Sequence, residues 1–364
     1  RWDQMGLFLL ALAAGILPFA VPEVCAAALR EGLTLCSGPL LLSLFPFLVV
    51  SRLLIQCPES DLLALPFRLA AWGIGIRTPC AARVLCIGFL GGFAPAASAA
   101  AQAVRTGQLT AEEADALLPA CICSGPSFVV LTVGQSLLGS AELGVLLFAS
   151  QITANYLTAA LLNRFAGVRS VKPGSAAPAS PAPPRLDEIL ADAAITYCKL
   201  CGFILFFRML AAGAGALLPA GAGTLCSILL EVCSGCDLAS RTGRWGSLLC
   251  CAALSVQGLS VLLQVRTICP PEMTLRPLYR SRLLHLPLSL ALFYLLLPGG
   301  EADVFSTLPA RVLLMRRVPP DCALLVFAVC CMAACTLRSG IRQVEQKQMA
   351  RNAGGCCINS KTLL

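Results

Sequence analysis

The chain of 364 residues is far more apolar than a soluble domain, since 57% of its residues are hydrophobic and only 13% are charged. A soluble domain usually carries about 25% charged residues. The composition therefore excludes an ordinary soluble enzyme and predicts a membrane protein. The net charge of +8 does not indicate a nucleic-acid partner, because Lys and Arg cluster in the loops between apolar runs.

Several uncharged runs approach or reach the roughly 20 residues that a membrane-spanning helix needs. They cover residues 4–22, 84–104, 116–141, 143–162, 209–230 and 245–265, and shorter apolar runs cover 39–51, 283–300 and 322–337. The first run continues into further apolar sequence without a clear cleavage site. We therefore interpret it as an uncleaved span and not as a signal peptide.

Helix breakers interrupt the second and third runs at membrane depth. Gly91, Gly92 and Pro95 lie in the second run, and Gly125 and Pro126 lie in the third. Irregular backbone is tolerated at this depth only where protein buries it or where it lines a cavity. Interrupted apolar segments at matching positions of two halves are typical of a transporter's binding site.

A central stretch rich in Pro, Ala and Ser, residues 171–184, is predicted to be an extended linker. We predict a first transmembrane repeat with an N-terminal span (1–165), a Pro/Ala-rich cytoplasmic linker (166–186), a second transmembrane repeat with C-terminal spans (187–337) and a basic tail (338–364). Short loops rich in Lys and Arg stay in the cytoplasm. This places residues 164–185, 266–282 and the tail on that side.

Short motifs recur in the same order on both sides of the linker, which predicts an internal repeat. Residues 45–53 resemble 206–210, residues 90–98 resemble 234–240, and residues 123–128 (CSGPSF) resemble 256–261 (VQGLSV). Each match is weak by itself, and the shared order carries the prediction. Gly235 and Gly258 then mark the helix breaks of the second half.

Six segments resemble the sporulation integral membrane proteins of the YlbJ type, which belong to the nucleoside-recognition, or gate-domain, family. They are LFPFLVVSRLL at 44–54, GFLGGFAPAAS at 88–98, GQLTAEEADALL at 107–118, SGPSFVVLTVG at 124–134, LLEVCSG at 229–235 and SVQGLSVLLQ at 255–264. The resemblance extends to about residue 337. It implies an all-α polytopic membrane fold of two inverted gate-type repeats with broken or re-entrant helices, related to concentrative nucleoside transporters.

The same resemblance implies a role in endospore formation, in which dipicolinate moves from the mother cell towards the forespore. The protein would then be a multi-pass protein of the inner membrane, in the mother-cell-derived membrane around the forespore, with its C-terminal tail in the cytoplasm. The expected partners are the small anion, the lipid bilayer and either further copies of the chain or other sporulation membrane proteins.

The candidate substrate-binding residues at the proposed breaks are Ser124, Gly125, Ser127, Gln257 and Ser260. Free N–H groups at helix N-termini bind anions with help from the helix dipole, while hydroxyl and amide groups orient the ligand. The alternative is that these small and polar residues only join helices through close packing and hydrogen bonds.

Three charged residues complete the candidate site. Arg52 and Arg208 follow similar apolar runs, and an intramembrane Arg by default faces a cavity or a partner; the alternative is snorkelling to the interface. Glu231 follows the uncharged run that ends at residue 230, where it could serve coupling or gating. Local pairing of Glu231 with Arg241 or Arg244 is the alternative.

The cysteines do not predict a metal site or a cofactor. Most of the 21 cysteines lie inside apolar runs, where cysteine packs as a small hydrophobe. The spacing of Cys198/Cys201 and Cys233/Cys236 would suit zinc, but we expect packing there. His285 is the single histidine, which excludes a site built from several histidines, and we expect no catalytic residues.

The sequence thus predicts a transporter of a small anion, with dipicolinate as the substrate that the resemblance implies. A transporter of nucleosides or other small polar solutes is one alternative. A non-transporting membrane scaffold for spore cortex assembly is another, although a scaffold has little use for irregular backbone at mid-membrane depth.

Overall fold

The computed structural model describes residues 2–166 and 186–297, and this part of the chain is all-helical, as predicted. Its α-helices are α1 Trp2–Ala20, α2 Pro22–Ser37, α3 Pro39–Gln56, α4 Leu65–Gly73, α5 Pro79–Gly91, α6 Phe93–Arg105, α7 Ala111–Cys121, α8 Ala141–Ala166, α9 Leu186–Leu217, α10 Ala220–Leu230, α11 Val232–Ser240, α12 Gly246–Val256, α13 Gly258–Ile268 and α14 Arg276–Leu296. A π-helix spans Ser127–Leu137, and short 3-10 helices span Pro58–Asp61 and Gly243–Trp245. Nearly all of the predicted linker, the end of the second repeat and the basic tail lie outside the described residues.

Three segments are long and apolar enough to cross a membrane: Ala141–Ala166, Leu186–Leu217 and Gly243–Ile268. A fourth span results if Phe8–Ala20 and Pro22–Ser37, which meet at an angle of 110°, are counted together. These helices are compatible with a multi-pass membrane protein. Pro22 opens the second member of the bent pair, where its missing N–H and fixed φ suit a first turn.

The apolar run 84–104 is not one membrane-crossing helix, because the chain doubles back at Gly92. A Cβ built on Gly88 would lie 3.2 Å from the Cβ of Ala96, whereas eight residues of straight helix span about 12 Å. Helices α5 and α6 therefore form a hairpin with its tip at Gly92. Pro95, predicted as part of the break, lies instead in the first turn of α6, where proline is tolerated.

A second hairpin has its tip at Glu231, between α10 and α11. A Cβ on Gly235 would lie 2.8 Å from the Cα of Ile228, although seven helical residues span roughly 10 Å. The prediction of a helix break at Gly235 is therefore wrong, since this residue lies inside α11. Its missing side chain lets α11 pack against the backbone of α10.

Each hairpin is followed by an interrupted helix. Helix α7 ends at Cys121, and the π-helix begins at Ser127 after Pro126. Helix α12 ends at Val256, and α13 begins at Gly258 after Gln257, whose φ of 65° is left-handed. Both halves therefore contain a hairpin and then an interrupted helix, framed by α3 and α8 in the first half and by α9 and α14 in the second.

Each hairpin tip contacts the interruption of its own half through backbone. A Cβ on Gly92 would lie 2.7 Å from the amide nitrogen of Gly125, and one on Gly258 would lie 3.0 Å from that of Glu231. Gly92 and Gly258 have φ values of +80° and +69°, which glycine adopts without steric cost. One hydrophobic core runs from Ile55 to Phe293, so the two halves share their interior.

Candidate functional site

A cavity of about 70 Å³ lies where the two hairpin tips approach each other. We call it the tip cavity. Its polar lining consists of Gly91, Ser124, Gly125, Ser127, Glu231 and Gln264, and its apolar walls include Leu44, Phe47, Phe93, Phe128, Ile204 and Val261. The structure thus brings four predicted site residues, Ser124, Gly125, Ser127 and Glu231, from both halves to one cavity.

Glu231 is 2% exposed and acts as the N-cap of α11. Its two carboxylate oxygens accept hydrogen bonds from the amides of Cys233 (2.8 Å) and Ser234 (2.7 Å). These amides and the positive end of the helix dipole stabilise the buried charge. Local pairing with Arg241 or Arg244 is excluded: Arg241 pairs with Asp237, and Arg244 stacks on a tryptophan ring.

Gln257 and Ser260 lie in the second interrupted helix but line neither cavity. The side-chain amide of Gln257 donates to the carbonyl of Leu254, which turns it back onto its own helix. The hydroxyl of Ser260 accepts a hydrogen bond of 2.8 Å from Nε2 of Gln264. Gln264, one turn further along α13, is the amide that reaches the tip cavity.

Gln264 is 2% exposed, and its Oε1 has no hydrogen-bond partner among the described residues. The oxygen and nitrogen of a glutamine amide are nearly indistinguishable by shape, so the amide can also be placed the other way round. The Ser260 hydroxyl would then donate to Oε1 and leave the NH₂ group free. Either way, Gln264 keeps one unpaired polar atom in the lining of the tip cavity.

A second cavity, of about 150 Å³, is lined by three cationic side chains, Arg52, Arg105 and Lys199, and by one carboxylate, Asp192. We call it the basic cavity. Arg52 donates to Asp192 at 2.5 Å, to the hydroxyl of Ser98 at 3.3 Å and to the hydroxyl of Thr196 at 3.3 Å. The cavity therefore carries an excess of two positive charges.

Gln264 lines both cavities, and the helices around it run from one to the other. On α13, Val261 lines the tip cavity and Ile268 lines the basic cavity. On α9, Ile204 lines the tip cavity and Lys199 lines the basic cavity. Seven helical residues span about 10 Å. The two cavities are therefore stacked, with Gln264 between them.

Arg208, predicted as a substrate-binding residue, lines neither the tip cavity nor the basic cavity. Its guanidinium pairs with Glu31 at 2.7 Å. Arg52 and Arg208 nevertheless share a role, because each pairs with a carboxylate from the other half of the chain. The similar apolar runs that precede the two arginines therefore correspond to ion pairs between the halves. Of the two, only Arg52 also lines one of the two cavities.

Sequence analysis missed Arg282, which is buried in α14 and connects both interrupted helices. Its guanidinium donates to Oδ1 of Asn155 (3.2 Å) and to the carbonyl of Ser255 (3.4 Å). Asn155 in turn donates to the carbonyl of Ile122, in the first interruption (3.2 Å). No carboxylate pairs with Arg282 in the part of the chain that the structure describes.

A polar stripe in α14 could have revealed Arg282. Ser281, Arg282, His285 and Ser289 recur at helical spacing in an otherwise apolar helix and are all buried, which indicates a face turned towards protein. His285 is fully buried and contacts the backbone carbonyl of Gln151 through its Nε2. Within the described ranges, no three His, Cys, Asp or Glu side chains gather as metal ligands.

Comparison of the chain with family models, with curated proteins and with solved structures finds no match. The two cavities present hydroxyls, a side-chain amide, two carboxylates and cations. Such groups bind a polar solute reversibly, and few convergent polar groups in a largely apolar cavity are typical of a small-molecule site.

Proposed function

We propose that this chain is a secondary membrane transporter of a small anion. Dipicolinate, carried from the mother cell towards the forespore, is the substrate that the sequence resemblance implies. The observation that supports transport most is the stack of two cavities, one basic and one largely apolar with a few polar groups at the hairpin tips, both of which Gln264 lines.

The positive charge of the basic cavity favours an anion. The basic cavity has two positive charges in excess. At the tip cavity the π-helix begins with Ser127, and a helix N-terminus carries roughly half a positive charge. Arg282 lies behind both interruptions without a carboxylate partner among the described residues. Glu231 is the opposing charge, and its position between the hairpin tip and the cavity suits coupling or gating.

The position of the basic cavity supports uptake from the cytoplasm. Its lining residues on α9 follow the start of that helix, and its lining residues on α13 lie at the end of that helix. The adjoining segments 164–185 and 266–282 are the basic segments predicted to be cytoplasmic, and the structure places residues 276–282 of the second segment in α14. The basic cavity would then be the cytoplasmic mouth of the site, and the tip cavity would lie deeper in the membrane.

The order of elements supports two inverted repeats of the gate type as part of this proposal. A hairpin followed by an interrupted helix occurs in each half, and both hairpin tips contribute to one cavity. Transporters built from inverted repeats place their substrate site at such discontinuous helices. A pseudo-two-fold axis in the membrane plane would bring Ser127 opposite the second interruption.

Transport can be measured directly in proteoliposomes loaded with Tb³⁺, because dipicolinate that enters chelates the ion and sensitises its luminescence. We expect Ser127→Leu to lower the initial rate by about tenfold or more, since a hydrogen-bonding group is lost and leucine fills part of the cavity. The matched control is Ser136→Leu, which places the same side chain on an exposed position of the same π-helix and should transport normally.

The alternatives give different results in the same vesicles. Flux of a labelled nucleoside in the absence of dipicolinate flux would favour a nucleoside transporter. A folded, membrane-inserted protein that moves neither solute would favour the scaffold. A Ser127→Leu variant that transports dipicolinate at the wild-type rate would remove the tip cavity from the mechanism.

A further inference from the structure

We infer that the basic cavity is a binding site for a carboxylate anion, and that Asp192 is a built-in competitor that occupies Arg52 while the site is empty. This inference rests on the proposed anion transport and assigns its outer binding site. It adds Arg105, Lys199 and Asp192 to the residues that handle the substrate.

The contacts of Arg52 define the geometry of this site. Its guanidinium is fixed on one edge by the hydroxyls of Ser98 and Thr196 and is only 9% exposed, whereas the side chain of Asp192 is 60% exposed. The arginine is therefore held by protein, while its carboxylate partner reaches it from the solvent side. An arriving carboxylate can take the place of Asp192 without disturbing Arg52.

The remaining cations explain why an external anion can compete. Asp192 neutralises one of three positive charges, and neither Arg105 nor Lys199 forms an ion pair within the described ranges. A dianion brings a second negative charge that Asp192 lacks, and that charge can interact with Arg105 or Lys199. When Asp192 is displaced, its side chain moves from a position that is already 60% exposed into water, and Arg52 keeps a carboxylate partner because the ligand takes that place.

The position of Gln264 indicates the direction in which the bound anion would move. It forms the inner wall of the basic cavity and also lines the tip cavity, and it is the residue with an unpaired polar atom described above. A carboxylate held at Arg52 therefore has a buried hydrogen-bonding group next on its path. We infer that the anion binds first at Arg52, then contacts Gln264, and only then enters the tip cavity.

Binding of dipicolinate to the purified full chain in nanodiscs of neutral lipid tests this inference, with the uncharged diamide of dipicolinate as the control compound. We expect Asp192→Asn to tighten binding about fivefold, because the competing carboxylate is gone. Arg52→Gln should weaken binding about tenfold, through loss of a charge-assisted contact. Lys199→Gln should weaken dipicolinate binding severalfold. Lys199 is exposed, so this substitution leaves the buried hydrogen bonds of Arg52 intact.

The control Asp237→Asn removes the carboxylate of another exposed Asp–Arg pair and should leave binding unchanged. Unchanged or weaker binding in Asp192→Asn would overturn the inference. Displacement of dipicolinate by an anionic lipid that copurifies with the wild type but not with Arg52→Gln would overturn the carboxylate assignment. Binding that follows the expected pattern without any flux in proteoliposomes would support the site and reject the proposed transport.

Discussion

Gly92 and Gly258 lie on opposite sides of the same kind of contact: Gly92 is in the hairpin tip of its half, and Gly258 is in the interrupted helix of the other half. Gly92 combines a φ of +80° with a neighbouring backbone nitrogen 2.7 Å from its would-be Cβ. A side chain there would be strained by the dihedral angle and would also push the first hairpin away from Gly125. The glycine therefore sets the distance between the two segments that form one wall of the tip cavity.

We expect Gly92→Ala to lower the stability of the protein by roughly 2 kcal/mol or more, because both backbone strain and a backbone clash arise. The matched control is Gly202→Ala in α9, where a Cβ meets nothing within 4 Å and alanine favours the helix. Thermal unfolding in detergent measures the difference. Equal unfolding temperatures for the two variants would show that the tip contact is not needed.

Some residues of the tip cavity can be predicted from the sequence, and others cannot. Ser124, Gly125, Ser127 and Glu231 were predictable, because polar or small residues beside helix breakers in apolar runs point to a cavity. The sequence predicts Gln257 as a site residue because it lies at the break itself, whereas the cavity-lining amide is Gln264. The left-handed φ of Gln257 turns its amide towards Leu254, and no local pattern in the sequence reveals that rotation.

At the scale of helices, α8, α12 and α14 meet in a buried polar seam that supports both interruptions. Asn155 of α8 holds the freed carbonyl of Ile122, and Arg282 of α14 joins Asn155 to the carbonyl of Ser255 in α12. Carbonyl groups released by an interruption need partners, since an unpaired buried polar group is costly. The seam supplies such partners to both halves through one arginine.

We expect Asn155→Leu to destabilise the protein by about 3 kcal/mol, because it leaves the Arg282 charge poorly compensated and the Ile122 carbonyl unpaired. Arg282→Met should cost less, about 1 kcal/mol or below, since methionine removes the buried charge itself. In the Arg282→Met background, Asn155→Leu should then cost less than it does alone. Additive changes in the unfolding midpoint would show that the two side chains are not coupled.

The apolar runs in the sequence predict helices, but they do not predict the direction of the chain after a helix break. The run 84–104 is long enough for a crossing, yet close contacts of Gly88 and Gly92 fold it into a hairpin. The direction of the chain after a break depends on tertiary packing between glycines and their neighbours, which a periodic pattern does not record. Helix α8, in contrast, follows directly from the apolar run 143–162, whereas the run 209–230 is divided between the end of α9 and α10.

At the scale of the whole molecule, the two halves are held together by a common core and by two reciprocal ion pairs. Arg52 of the first half reaches Asp192 of the second, and Arg208 of the second half reaches Glu31 of the first. The buried Arg282–Asn155 contact also crosses between the halves. Neither half can bury these groups alone.

We therefore expect fragments 1–166 and 186–364, expressed together as separate chains, to associate in the membrane. A tag on the first fragment should recover the second in equal amount after detergent extraction, because the shared core supplies the interface. The control is a cut between residues 201 and 202, which divides the membrane-spanning helix α9 and should prevent recovery. Stable, monodisperse first fragment without its partner would contradict the shared-core description.

The stack of cavities also determines where a membrane voltage would fall. In the proposed transport mechanism both cavities take up water and ions, so the potential would drop mainly across the protein beyond the tip cavity and not across the full 30 Å or so of hydrocarbon. A charge that crosses this part of the protein changes energy by about 2.3 kcal/mol per 100 mV, or about 4.6 kcal/mol for a dianion. Transport of the proposed dianion without a coupled cation would thus be electrogenic, and a negative cell interior would then drive export.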